Sequence, residues 1–139
     1  MNEPTKRLSH PESTWEWYGR HGHFICGEWC RFHLCTKVGS VLVSTVGMLV
    51  SPKNSGGSEL SDAKYLRAHP NGDEVGYNRH YETMVFGISE MCDCGCGMPS
   101  VDPADERGMW PANDQITARK NHMEACYKFA ANQRTKDKP

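Results

Sequence analysis

The residues with the clearest chemical potential are three cysteines within five positions, Cys92, Cys94 and Cys96. The intervening Asp93 and Gly95 let the backbone curl, so that two or three thiolates can converge on one cation. Cysteines at this density favour a metal site over a glycine-rich turn with incidental thiols. The spacing differs from the Cys-x-x-Cys knuckle, so it indicates a metal without specifying a standard zinc finger.

A histidine and a cysteine near the C-terminus could complete this site. His122 and Cys126 are four residues apart, which on a helix places the imidazole and the thiolate on one face. Alternatively, both side chains pack in the apolar half of the helix, where cysteine behaves as a small hydrophobe. Together with the three-cysteine turn they supply enough ligands for a tetrahedral site, and the predicted cofactor is a structural Zn2+ ion.

Cys26 and Cys30 are second candidates as metal ligands. If Gly27-Glu28 forms a tight hairpin turn, the two thiols face opposite sides of the sheet and cannot share an ion. If the segment forms a wider knuckle, they can share one. The sequence leaves both interpretations open.

Catalytic interpretations rest on a histidine-rich region. His21, His23, His33 and Cys35 could supply a nucleophile and its base, or the histidines could join Glu82 in a hydrolytic metal site. No local motif specifies either arrangement, so no catalytic residue is assigned and a non-enzymatic role is favoured.

Composition restricts the class of protein. The chain has 139 residues, 37% hydrophobic and 24% charged, with a formal net charge of −1. This near-neutral balance argues against wholesale wrapping of nucleic acid, although a local basic surface is still possible. The start of the chain lacks the apolar core of a secretory signal, and the longest apolar stretch, 41–50, is about half the ~20 residues of a membrane helix. We therefore expect a cytoplasmic protein without a membrane span, in which thiols stay reduced or bind metal.

Hydrophobic patterning predicts a small α+β domain with an antiparallel sheet of about four strands and a C-terminal helix packed on it. Gly39-Ser40 is the predicted turn between the second and third strands, and the third strand is apolar on both faces, so both should be covered. The predicted strands are residues 23–26, 30–38, 41–48 and 81–86.

The other segments have weaker signals. Residues 51–58 are predicted as a loop and 101–113, with Pro103 and Pro111, as an irregular acidic loop. A short helix is predicted from Ser61, its N-cap, to about residue 68.

The C-terminal helix should begin after Asn113 or Asp114 and run to about residue 132. Its predicted sheet-facing cluster is Ile116, Met123, Tyr127 and Ala130, with His122, Cys126 and Phe129 beside it. The domain organisation is then a flexible lead at 1–14, one metal-stabilised domain at 15–132 and a flexible tail at 133–139.

Several strings in this order along the chain resemble a group of small proteins encoded by tailed phages and prophages. The resemblance spans about residues 20–126 and implies a phage-encoded protein in the bacterial cytoplasm, with no particular activity. The strings are His23-Phe24-Ile25-Cys26, Cys30-Arg31-Phe32-His33-Leu34, Leu42-Val43-Ser44-Thr45-Val46-Gly47, Tyr81-Glu82-Thr83-Met84-Val85-Phe86 and Cys94-Gly95-Cys96-Gly97-Met98-Pro99.

The expected function is that of a zinc-binding accessory protein that binds a host or phage macromolecule. A protein is the favoured partner, and nucleic acid is the alternative. Two other classes compete with this expectation: a metal-dependent hydrolase or nuclease with an open metal site, and a nucleic-acid-binding zinc module.

Overall fold

A computed structural model of the chain describes residues 15–18, 29–91 and 99–137. It shows an α+β fold in which a five-stranded antiparallel sheet, ordered β1-β2-β3-β4-β5, carries the C-terminal helix on one face. The α+β class, the antiparallel sheet and the packed C-terminal helix were all predicted from the sequence and are confirmed. The strands are β1 (Trp15–Tyr18), β2 (Cys30–Val38), β3 (Val41–Leu49), β4 (Tyr81–Met91) and β5 (Pro99–Ala112), and the helices are α1 (Pro52–Ser55), α2 (Glu59–Ala68) and α3 (Gln115–Asp137).

The β2–β3 hairpin forms where the sequence places it. Gly39 has φ of 60°, which a residue without a Cβ adopts at little cost, and Val38 pairs with Val41 across the turn. Residues 41–47 of β3 are all buried, because β3 is the central strand and both of its faces are covered. The prediction of a strand covered on both sides is confirmed.

The first strand of the described sheet is β1. It pairs antiparallel with the second half of β2, with Trp15 opposite Val38 and Tyr18 opposite Cys35. The strand predicted at 23–26 and the turn predicted at Gly27-Glu28 lie outside the described residues.

The prediction of a loop at 101–113 is wrong, because this segment belongs to β5; with β1, it brings the described part of the sheet to five strands. β5 is an edge strand, in which proline is tolerated because one side of the strand needs no ladder hydrogen bonds. β4 also continues past Gly87, its predicted end, to Met91, with register irregularities that begin between Val85 and Phe86.

The segment between β3 and β4 contains two helices. α1 occupies part of the predicted loop at 51–58, with Ser51 as its N-cap. α2 begins at Glu59 because Ser58, not Ser61, is its N-cap. Ser61 is the third residue of the helix and its hydroxyl accepts from the Ser58 backbone, so the two serines form a reciprocal capping box.

Helix α3 begins as predicted but has a different rotation about its axis. Asp114 caps it by accepting a hydrogen bond from the backbone N–H of Thr117 at 2.7 Å. The helix extends to Asp137, past its predicted end. Ile116 and Tyr127, predicted to face the sheet, are 81% and 41% exposed. The other predicted members Ala130, His122, Cys126 and Phe129 are buried as expected, and Ala118 and Ala125 are buried with them.

A polar contact accounts for this rotation. His122 hydrogen-bonds to threonines of the sheet, and the small side chains of Ala118 and Ala125 let the helix approach closely on that side. Within the three described ranges, no helix combines the length and apolarity needed to cross a membrane.

Candidate functional site

The predicted metal ligands fall into two groups. Cys92, Cys94 and Cys96, like Cys26, lie outside the described residues; the segment that holds the first three joins Met91 of β4 to its pairing partner Pro99 of β5. Cys30, His122 and Cys126 are described, and all three are buried. Cys30 opens β2 opposite Leu49.

His122 and Cys126 lie one turn apart on the sheet-facing side of α3, and both are fully buried. Cys126 belongs to the main apolar cluster, where it packs with Val43, Val85 and Phe129. This placement agrees with the alternative in which both side chains contribute to the interior of the domain.

His122 is the centre of a buried polar network that joins three strands to the helix. Its Nε2 lies 2.8 Å from Oγ1 of Thr36 on β2, and its Nδ1 lies 2.7 Å from Oγ1 of Thr45 on β3. The Thr45 hydroxyl also lies 2.6 Å from the hydroxyl of Thr83, its partner on β4. All of these side chains are at most 1% exposed, so each polar atom depends on the others.

A neutral His122 satisfies this network in two ways. In one, Nδ1–H donates to Thr45, the Thr45 hydroxyl donates to Thr83, and Nε2 accepts from Thr36. In the other, Nε2–H donates to Thr36, and the hydroxyls of Thr83 and Thr45 donate in sequence towards Nδ1. Burial disfavours the charged form and lowers the pKa of His122 to about 4. The imidazole is therefore neutral at physiological pH.

The network also bears on the predicted zinc site. Because both ring nitrogens of His122 have hydroxyl partners, coordination of a metal by this residue requires one of those hydrogen bonds to break. Within residues 15–18, 29–91 and 99–137, no three His, Cys, Asp or Glu side chains come together as a metal-binding group. The zinc site thus depends on cysteines outside those ranges and stays a prediction.

The sequence did not reveal the three threonines as partners of His122. Each occupies a position on the helix-facing side of its strand, where the alternation otherwise places Val38, Val43 and Val85. Threonines at inward positions of three neighbouring strands, opposite a helical histidine, are the signal that would have identified the network.

Of the residues considered for catalysis, His21 and His23 lie outside the described residues, and the described ones do not form a catalytic group. His33 and Glu82 share the face of the sheet opposite α3, but Val46 of β3 stands between them, which separates their strands by roughly 10 Å. The Glu82 carboxylate accepts a hydrogen bond from Nε of Arg79 at 2.6 Å. Burial raises the pKa of Cys35 to about 12, so its thiolate, the nucleophilic form, is scarce near neutral pH.

An aromatic group lies on the surface where β1 meets α3. The ring of Trp15 is buried and makes edge contacts with Trp17 at 5.9 Å and with Tyr127 at 5.1 Å between centroids. Trp17 is 55% exposed, although its ring is also 6.3 Å from that of the buried His122. The indole N–H of Trp15 has no hydrogen-bond partner among the described residues. Exposed tryptophan and tyrosine rings that lie together in this way are typical of a binding surface.

Helix α3 extends this surface along its length. Ile116, Lys120, Met123 and Tyr127 follow one another at helical spacings of three or four residues and therefore form one stripe. The contact of Tyr127 with Trp15 places the stripe on the side of β1. We call Trp17 and the stripe together the β1-side patch.

Comparison of the chain with protein-family models, with curated proteins and with solved structures finds no match.

Proposed function

We propose that the protein is a non-enzymatic accessory protein that binds a macromolecular partner through the β1-side patch. The observation that carries the proposal is the exposure of Trp17 and Tyr127 around the buried Trp15. Tryptophan and tyrosine contribute disproportionately to the free energy of protein binding. A protein partner is therefore favoured over nucleic acid.

The interior of the domain supports binding rather than catalysis. The one described histidine with two hydroxyl partners, His122, is closed to solvent. Its neighbour Cys126 is equally buried, and the high pKa of Cys35 makes that thiol a poor nucleophile. These groups stabilise the packing of α3 on the sheet.

A structural Zn2+ ion is part of the proposal. Cys92, Cys94 and Cys96 would supply its thiolates, with His122 or Cys126 completing the tetrahedron and Cys26 and Cys30 as a second pair. The density of thiols in residues 92–96 supports this assignment, because zinc prefers such ligands in a reducing compartment. The resemblance to small phage and prophage proteins supports the bacterial cytoplasm as that compartment.

Affinity capture with the full chain tests the binding function. Wild-type protein and Tyr127→Ala should be used as baits in a lysate of phage-infected bacteria, with Tyr77→Ala as control because Tyr77 is 84% exposed and lies in a turn outside the patch. We expect a stoichiometric protein partner that is retained by wild type and the control and lost by Tyr127→Ala. Equal retention by all three baits, or no retained protein, would overturn the proposal.

A further inference from the structure

We propose that the β1-side patch recognises an acidic peptide segment of the partner protein that also carries apolar side chains. This inference rests on the proposed function and adds the chemistry of the segment that the patch accepts.

The two flanks of α3 differ in what they contact. On one flank, the Asn121 side chain donates to the carbonyl of Pro111 at 3.2 Å and Lys128 lies over the Trp110 ring, so β5 covers this side. On the other flank, Ile116 and Tyr127 are exposed, and the Tyr127 ring contacts Trp15 of β1. Among the described residues, the strand next to this flank leaves the side chains of Ile116 and Tyr127 largely uncovered.

Helix α3 carries a net positive charge, and two of its cations, Arg119 and Lys120, lie at or next to the patch. Residues 115–137 contain five Lys or Arg and two Asp or Glu, which gives the helix a net charge of +3 in a chain whose net charge is −1. Lys120 belongs to the patch, and Arg119 precedes it on α3 with its guanidinium 5.2 Å from the centre of the Phe32 ring. Cations on this surface favour a segment with carboxylates.

Arg119 and Lys120 also differ in their partners from three arginines elsewhere in the domain. Arg31, Arg79 and Arg107 each form an ion pair with a carboxylate within the domain. Among the residues that the structure describes, Arg119 and Lys120 form none. Their charge is therefore available to an external carboxylate.

The side chains of the patch favour a peptide over a nucleic acid. Bases stack on aromatic rings, but the aliphatic side chains of Ile116 and Met123 offer them no comparable surface. Aromatic residues, methionine and arginine are enriched at protein interfaces, and Trp17, Met123 and Arg119 supply all three types here. An acidic segment with apolar residues matches both the charge and the apolar area.

Selection from a random dodecapeptide library displayed on filamentous phage, with the full chain immobilised, tests this inference. We expect the selected peptides to be rich in Asp or Glu together with aromatic or aliphatic residues. Fluorescence anisotropy with one such labelled peptide should show binding about tenfold weaker for Lys120→Glu and for Tyr127→Ala. Lys53→Glu and Tyr77→Ala are the matched controls, because these exposed residues lie outside the patch, and their affinities should equal that of wild type.

Three results of the peptide experiments would overturn the inference. They are selection of basic or uncharged peptides, equal affinity of Lys120→Glu and wild type, and tighter binding of a labelled fifteen-residue oligothymidylate than of the peptide. Self-association through the patch, detected as a dimer in light scattering that Tyr127→Ala abolishes, would also overturn it by naming a second copy as the occupant. A Tyr127-dependent protein partner in the lysate experiment, combined with failure of the acidic peptides, would refute the peptide chemistry and leave the binding function intact. Circular dichroism of each variant verifies folding.

Discussion

Acidification should destabilise the fold through His122 well before the carboxylates titrate. The imidazole is 0% exposed and neutral, and burial lowers its pKa to about 4 from an ordinary value of 6.5. Below pH 6.5 the unfolded chain therefore binds a proton at this residue that the folded chain rejects. Stability falls as the pH decreases from 7 towards 4 and stops falling, for this group, once the folded protein is protonated as well.

The magnitude follows from the two pKa values. At pH 5 nearly all unfolded chains carry the extra proton, while about a tenth of the folded molecules do. The free energy of unfolding should therefore be about 2 kcal/mol lower at pH 5 than at pH 7 from this residue alone. The loss would approach about 3 kcal/mol at pH 4. These are large fractions of the stability of a domain of this size.

The carboxylates act in a lower pH window. Hydrogen bonds from Ser55 and Arg31 hold the pKa of Asp62 below its ordinary value of 3.8. Stability from such a group is present above the unfolded pKa and is lost as the pH falls through the folded value. Carboxylates of this kind therefore add little to the change between pH 7 and pH 5, and a variant at His122 separates this residue from the other six histidines of the chain.

Urea unfolding followed by circular dichroism at pH 7, 6, 5.5 and 5 measures this effect. His122→Gln is the matched variant, because its amide can donate and accept hydrogen bonds but does not titrate. We expect the variant to be less stable at pH 7 and to have a much smaller change in unfolding free energy between pH 7 and pH 5. A wild-type protein whose stability is flat over this interval, or an equal slope in His122→Gln, would refute the reasoning.

Three further outcomes can be measured. Thr45→Val should lower the free energy of unfolding by about 1–3 kcal/mol, because it leaves His122 Nδ1 buried without a partner. Thr45→Ser keeps the hydroxyl and should lower it less. Equal losses of the two variants in urea unfolding would contradict the network. Gly47→Ala should destabilise the domain by about 1–3 kcal/mol or more, because the added Cβ would lie within 2.7 Å of three ring carbons of Tyr81. An unchanged melting temperature would count against this contact. Protein purified without chelators should contain stoichiometric zinc by elemental analysis, and Cys94→Ser should lose it; metal-free wild type would reject the zinc site.

The β2–β3 hairpin was predictable because local signals agree with the tertiary structure there. Gly39-Ser40 marks the turn, and the continuous apolar run after it matches a central strand with two covered faces. Strand β5 was not predictable in the same way. Pro103 and Pro111 disfavour a strand locally, and only the position of the segment at the edge of the sheet makes them acceptable.

The His122 network was likewise predictable only in the part that depends on neighbouring residues of the sequence. The spacing of His122 and Cys126 correctly places both on one face of a helix. Histidine counts little as a hydrophobic residue, however, so the spacing of hydrophobic residues predicts a sheet-facing side of the helix centred on Ile116 and Tyr127. The partners of the imidazole lie 86 and 77 residues away in sequence, so no local pattern contains them.

The orientation of α3 about its axis determines both which of its side chains are buried and which are exposed at the proposed binding surface. Turning the helix to bury Ile116 and Tyr127 would move His122 away from Thr36 and Thr45, and would leave hydroxyls and imidazole buried without partners. Each unpaired buried group costs about 1–3 kcal/mol, comparable to the gain from burying an apolar side chain. The polar network therefore holds the helix in the orientation that keeps Ile116 and Tyr127 exposed. On this reasoning, a variant that replaces His122, Thr36 and Thr45 with apolar residues removes the constraint, and the accessibility of Tyr127 should fall.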